Sequence, residues 1–183
     1  MELKGKKMVI VIAPDKFRDE EYDVPFALLT EQGVKLTTAS TQKGVAKGMF
    51  NKKVTVELTL DDVNPDDYHG IIFVGGQGTP TVRSHPKSTE LAKAFFDKNK
   101  VVAAICWAPT ILAKAGILQN GRKATVWMGN DPEFNMKTSQ VLTDAGGYFV
   151  AQKVVIDGNI VTGNGPDAAQ KFAEAIIKVL PKY

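Results

Sequence analysis

Three short, unbroken apolar runs constrain the fold most tightly: residues 8–13, 71–74 and 101–105. Each has the length of a strand, and none alternates apolar with polar residues. Each therefore reads as a strand buried on both faces. Segments of helical spacing separate them. Tyr22, Pro25, Phe26 and Leu29 mark one, with acids in its first turn and Gly33 as a stop signal. Pro25 has no N–H to give, which is harmless only near a helix start, so this helix is expected to begin near Glu20 or Glu21. Pro86 stands in the first turn of another, whose inner face carries Leu91, Ala94 and Phe95. Strands alternating with helices require a mostly parallel sheet covered on both faces. The expectation is an α/β, doubly wound, flavodoxin-like three-layer sandwich.

The remaining segments fit that frame. Residues 34–39 read as a second strand, and residues 44–60 as an antiparallel excursion with Gly44, Gly48 and alternating Val54, Val56 and Leu58. An acidic connector containing Asn64-Pro65 covers residues 61–68. Residues 123–127 read as a strand, and residues 136–145 as a helix ending at Gly146-Gly147. Residues 154–156 and 160–162 flank Asp157-Gly158-Asn159, a hairpin signal. Gly165-Pro166 opens the last helix, which aligns Phe172, Ala173, Ile176, Ile177 and Leu180 on one stripe. No repeat or linker divides the chain, so residues 1–183 are expected to form one domain.

Composition excludes several classes. The net charge is only +3 and the lysines are scattered, which argues against a nucleic-acid partner. One cysteine rules out an internal disulfide, and two histidines provide no metal cluster. No apolar run approaches the roughly 18 residues of a membrane span, and no signal segment is visible. The expected setting is cytoplasmic and reducing, with no membrane partner.

In such folds the working site lies at the carboxyl ends of the strands. The run at 101–105 ends in Cys106, the only cysteine, and Pro109 starts a helix three residues later. A sulfur held in that turn points at a helix N-terminus, which favours thiolate; this is the geometry of a nucleophile elbow, without its familiar Gly-x-Ser-x-Gly sequence. The bland alternative is a small buried hydrophobe. Gly75-Gly76-Gln77-Gly78 follows another buried strand, where backbone N–H groups can form an oxyanion hole or a plain turn. It lacks nucleotide-binding spacing, so neither a cofactor nor a metal is expected. Asp19, Glu20 and Glu21 form an acidic cluster in a first helical turn, and spacing alone does not choose among them. His69 and His85 both sit where capping or exposure explains them better than partnership with Cys106.

Taken in order, these features resemble the ThiJ/PfpI (DJ-one) superfamily, of class I glutamine amidotransferase-like fold, over nearly the whole length. The residues carrying the resemblance are the opening strand followed by Glu21 and Pro25, the run at 73–76, the run at 103–106, Gly121-Arg122-Lys123, and Thr162 through Pro166. The resemblance implies a nucleophilic Cys106, a protonated Glu21 touching its sulfur, and oxyanion-hole amides at Gly75 and Gly76, with the backbone of Trp107 beside them. Trp127, Gly165 and Pro166 are candidate pocket residues. It further implies a homodimer or higher homo-oligomer. Two departures matter: Trp107 stands where the protease-like branch has histidine, and Trp127 where the deglycase-like branch has one. A peptidase needs a proton donor for its leaving amine, so the expected chemistry is cofactor-independent glyoxalase or deglycase action on a small carbonyl substrate. A redox or stress role, with an oxidant as partner, is the alternative.

Overall fold

The three apolar runs lie side by side at the centre of one sheet in the computed structural model, which describes residues 3–180. In chain order the first half contains β1 (Lys7–Val11), β2 (Asp15–Phe17), α1 (Asp19–Glu31), β3 (Lys35–Ser40), β4 (Gly44–Gly48), β5 (Lys53–Val56), β6 (Leu58–Thr59) and β7 (Gly70–Phe73). It continues with α2 (Thr79–Ser84), α3 (Pro86–Asp97), β8 (Val101–Ile105), α4 (Pro109–Lys114), β9 (Lys123–Ala124), β10 (Asn130–Asp131) and β11 (Met136–Lys137). The last elements are α5 (Thr138–Asp144), β12 (Tyr148–Phe149), β13 (Val154–Asp157), β14 (Ile160–Gly163) and α6 (Ala169–Val179).

The main sheet has the order β13-β14-β8-β7-β1-β3-β6 and is parallel except for the β13–β14 hairpin. Every residue of β7 and β8 is buried, because helices cover both faces. α1 packs with α6, and α3 packs with α2 and α4, giving the three-layer α/β sandwich that the alternating pattern demands. Each fully buried aliphatic side chain in this core contributes about 1.5–3 kcal/mol. The chain leaves β1 towards β3 on one side and returns to β7 on the other. The crevice created there, at the carboxyl ends of β1, β7 and β8, is the natural place for a ligand. No helix among the described residues is long and apolar enough to cross a membrane.

Several elements differ from the sequence reading. Helix α1 starts at Asp19, so Pro25 sits in its second turn; the carbonyl of Glu21 is the one deprived of a helical donor. Residues 79–84 form an additional short helix, α2. Of residues 123–127 only Lys123 and Ala124 are strand, paired with β12 outside the main sheet. The chain then turns away because the Thr125 amide bonds to the Thr162 side chain (2.9 Å) and the Trp127 amide to the Cys106 carbonyl (2.8 Å). The helix expected at 136–145 begins at Thr138, since Met136 and Lys137 pair with β10. Pro166 opens a 3-10 turn, Pro166–Ala168, ahead of α6. Residues 1–2 and 181–183 of the expected single domain lie outside the described residues.

Candidate functional site

Cys106 occupies the joint between β8 and α4. Its amide donates to the Gly163 carbonyl on β14 (2.9 Å), while its carbonyl accepts from Trp127. Between these two anchors the backbone is forced to φ 62°, a left-handed conformation uncommon outside glycine. Such conformations cost on the order of 1–3 kcal/mol and persist only where the surroundings over-determine them. The side chain is 9% exposed, at the floor of a cavity of about 360 Å³. Arg18, Met49, Gly76, Gln77, Trp107, Trp127 and Pro166 line that cavity with it. Gly165 precedes Pro166 but is not part of the lining; its carbonyl closes the turn to Ala168.

The three acids that spacing left equivalent have three separate roles in the structure. Asp19 accepts from the amides of Phe50 (3.0 Å) and Lys52 (2.9 Å), pinning the β4–β5 hairpin above the pocket. Glu20 pairs with Arg18 at 2.8 Å on the surface. Glu21, on the inner side of the same turn, is completely buried. Its Oε2 accepts from the Gly75 amide (3.1 Å), and its Oε1 has no hydrogen-bond partner among the described residues. Burial pushes the Glu21 carboxyl up to about 8, against the pull of Cys106 and the Gly75 amide. Glu21 therefore holds its proton at neutral pH.

The oxyanion-hole expectation needs one correction. The Gly75 amide is spent on Glu21, whereas the amides of Gly76 and Trp107 are the ones directed at the sulfur. Gly75 is required for closeness instead: a Cβ there would come within 2.6 Å of the Cys106 Cβ and 2.7 Å of Glu21 Oε2. The expectation of a thiol favoured as thiolate by the helix terminus also changes. Burial first, and then the charge of an ionised Glu21, push the Cys106 thiol up, and the two amides only partly offset this. An ionised Glu21 disfavours the thiolate beside it, so the two groups resist ionising together.

Neither histidine reaches the pocket. His69 precedes β7, at the far end of the sheet, and accepts from the Lys7 amide (3.2 Å). His85 caps α3, accepting from the Lys87 amide (3.3 Å).

Sequence reasoning missed a second buried polar group behind Trp107. Arg83 is fully buried and donates to both oxygens of Asp131 (2.5 and 3.0 Å), to Glu133 (2.6 Å) and to the Thr110 hydroxyl (2.8 Å). Phe134 covers its face, 4.6 Å from ring centre to Cζ. Asp131 in turn accepts from the Trp107 indole N–H (2.7 Å), setting the ring that walls the pocket. Burial opposes the charge of Asp131, yet Arg83 and Trp107 hold its carboxyl below the ordinary range. Trp127 packs on Trp107 with ring centres 5.9 Å apart. Arg18 was also missed. No sequence signal brings Arg18, Arg83 or Asp131 to the site, because each arrives there through tertiary packing.

The mostly parallel sheet covered by helices on both faces agrees with the comparisons. The model of the DJ-1/PfpI family matches residues 6–179, and the chain belongs to that family. A Methanocaldococcus jannaschii protein is 44% identical over 181 residues, 98% of this chain and 85% of its own. The Pyrococcus furiosus protein named deglycase PfpI is 33% identical over 94% of this chain and 98% of its own. Among solved structures, a ThiJ/PfpI domain protein from Brachyspira murdochii superposes with a TM-score of 0.87. It is 29% identical, with 97% of each chain covered.

Proposed function

We propose that the protein is a cofactor-independent enzyme of glyoxalase or deglycase type, acting on small reactive carbonyl compounds through Cys106. The observation that carries this reading is the convergence, at one pocket without an imidazole among the described residues, of a strained cysteine, two backbone amides and a protonated carboxyl buried beside that cysteine. The sulfur adds to the aldehyde carbon of an α-oxoaldehyde such as methylglyoxal. A C–S bond forms, the carbonyl π bond breaks, and the amides of Gly76 and Trp107 stabilise the developing oxyanion. Cys106 and Glu21 together first lose one proton to solvent. The proton that remains is on Glu21 when the sulfur attacks and passes to the oxyanion, leaving a carboxylate that accepts and returns protons within the hemithioacetal. The hydrogen on the aldehyde carbon leaves as a proton and one returns to the adjacent carbon, giving a thioester. Water cleaves the thioester, releasing lactate and restoring the thiol. Among the described residues no imidazole reaches the pocket to protonate an amine leaving group, and Glu21 is fully buried beside the sulfur, which disfavours peptidase action. The relative named as a deglycase supports the same reading.

The test is lactate formation from methylglyoxal. Cys106→Ser is expected to lower kcat/KM by more than ~10³-fold; equal rates for the two proteins would overturn the proposal.

A further inference from the structure

We propose that the Cys106 pocket selects anionic carbonyl compounds, holding an apolar body against Trp107 and Trp127 and the negative group on the open edge of Arg18. This rests on the reading of Cys106 as a nucleophile towards carbonyls and adds the substrate class. Arg18 lines the cavity with the cysteine. Its guanidinium is held along one edge, where Nε and Nη2 donate to Glu20 (2.8 and 3.2 Å), and on one face, where the Phe50 ring lies 4.7 Å from Cζ. Nη1 has no hydrogen-bond partner among the described residues. A guanidinium fixed in this way has already lost most of its rotamer freedom, so an incoming carboxylate or phosphate meets a preorganised donor.

The charge acts on the reacting groups, since Arg18 interacts electrostatically with both Cys106 and Glu21. Glu20 is its surface counter-ion, and Glu21 is neutral when protonated. The positive surface continues into an adjoining hollow of about 390 Å³ that shares Met49 and Gln77 and is lined by Lys16, Lys47 and Asp15. The walls complement the cation: Trp107, Trp127, Met49 and Pro166 offer a hydrophobic bed. At about 30 Å³ per water-sized group, the 360 Å³ cavity admits roughly a dozen heavy atoms. Methylglyoxal would leave much of that space unfilled, whereas an arylglyoxal with a terminal carboxylate would span it.

Two alkylating reagents of nearly equal size read the cation directly. Cys106 carboxymethylation by iodoacetate is compared with carbamidomethylation by neutral iodoacetamide, which reports any general change in thiol reactivity. Relative to a free thiol, the wild type is expected to favour iodoacetate by about tenfold, as one fixed charge in a half-buried site supplies. Arg18→Gln should lower that ratio five- to tenfold, Arg18→Lys should retain most of it, and Glu20→Gln should raise it. In parallel, Arg18→Gln should lower the kcat/KM ratio of 4-carboxyphenylglyoxal to phenylglyoxal. A reagent ratio unchanged by Arg18→Gln overturns the anion site even if lactate is formed from methylglyoxal. Absence of lactate with an Arg18-dependent ratio removes the proposed catalysis and leaves the anion site standing. No labelling of Cys106 by either reagent overturns both, because the sulfur is then closed to any pocket ligand.

Discussion

Two buried ionisable groups lie on opposite sides of Trp107, and they are built on opposite plans. Behind the indole, the Arg83 fork is saturated: Asp131, Glu133 and Thr110 take its donors, and Asp131 also receives the Trp107 N–H. In front, Glu21 has one amide donor for two oxygens and faces a thiol. The first arrangement keeps its carboxylate charged and holds its geometry. The second pushes both of its groups towards their protonated forms. Satisfied buried networks rigidify a fold, whereas under-satisfied ones retain unpaired polar capacity that a reacting substrate can use. The rigid group orients the pocket wall, and the under-satisfied pair lies where chemistry can occur.

The largest effect should come from breaking the saturated side. Asp131→Ala leaves the Arg83 guanidinium without its bidentate partner, and thermal or urea unfolding should show a loss of about 3–5 kcal/mol. A loss below about 1 kcal/mol would mean the network is not what holds this region. The opposite behaviour is expected of the under-satisfied side. A carboxyl raised from 4.5 to about 8 binds a proton in the native state that the unfolded chain releases. Its contribution to stability is complete below the unfolded value and is lost progressively as pH rises towards 8. Glu21→Gln removes that dependence, so the variant should gain on the wild type between pH 5 and 8, by a few kcal/mol at the upper end. The same variant should lower turnover of methylglyoxal by ~10²-fold or more, through loss of the proton carrier. Parallel unfolding curves across this pH range would remove the case for a protonated Glu21. The smallest effect is a control on the surface. Lys93 and Asp97 pair at 3.0 Å one helical turn apart on α3, both largely exposed, and Asp97→Asn should cost no more than about 0.5 kcal/mol.

The legible part of the site was the part that local chemistry dictates. Cys106 announced itself as the sole cysteine at a strand-to-helix joint, and the glycines at 75 and 76 as the end of a buried strand. Their separate roles did not follow from the residues. Which amide serves Glu21 and which serves the sulfur depends on how β7, β8 and α1 are stacked. The spacing of Asp19, Glu20 and Glu21 is compatible with any of them reaching the cysteine, since consecutive helical residues differ by about 100° in direction and only the packing of α1 selects the inward one. Residues 44–60 read as antiparallel, which holds for β4 and β5, whereas β6 joins the main sheet parallel to β3. The docking of the β4–β5 hairpin over the pocket depends on Asp19 gripping two amides about thirty residues away.

By itself the sequence determined the architecture and the candidate nucleophile. Hydrophobic periodicity is a local property, and strands buried on both faces, alternating with helices, leave few arrangements other than a parallel sheet covered on both sides. The tertiary structure alone decided the electrostatics. The burial that raises Glu21 and Cys106, the partners that hold Asp131 charged, and the placing of Arg18 at the pocket all depend on distances between residues far apart in the chain. Desolvation and Coulomb interactions act through space, so no pattern along the chain encodes them.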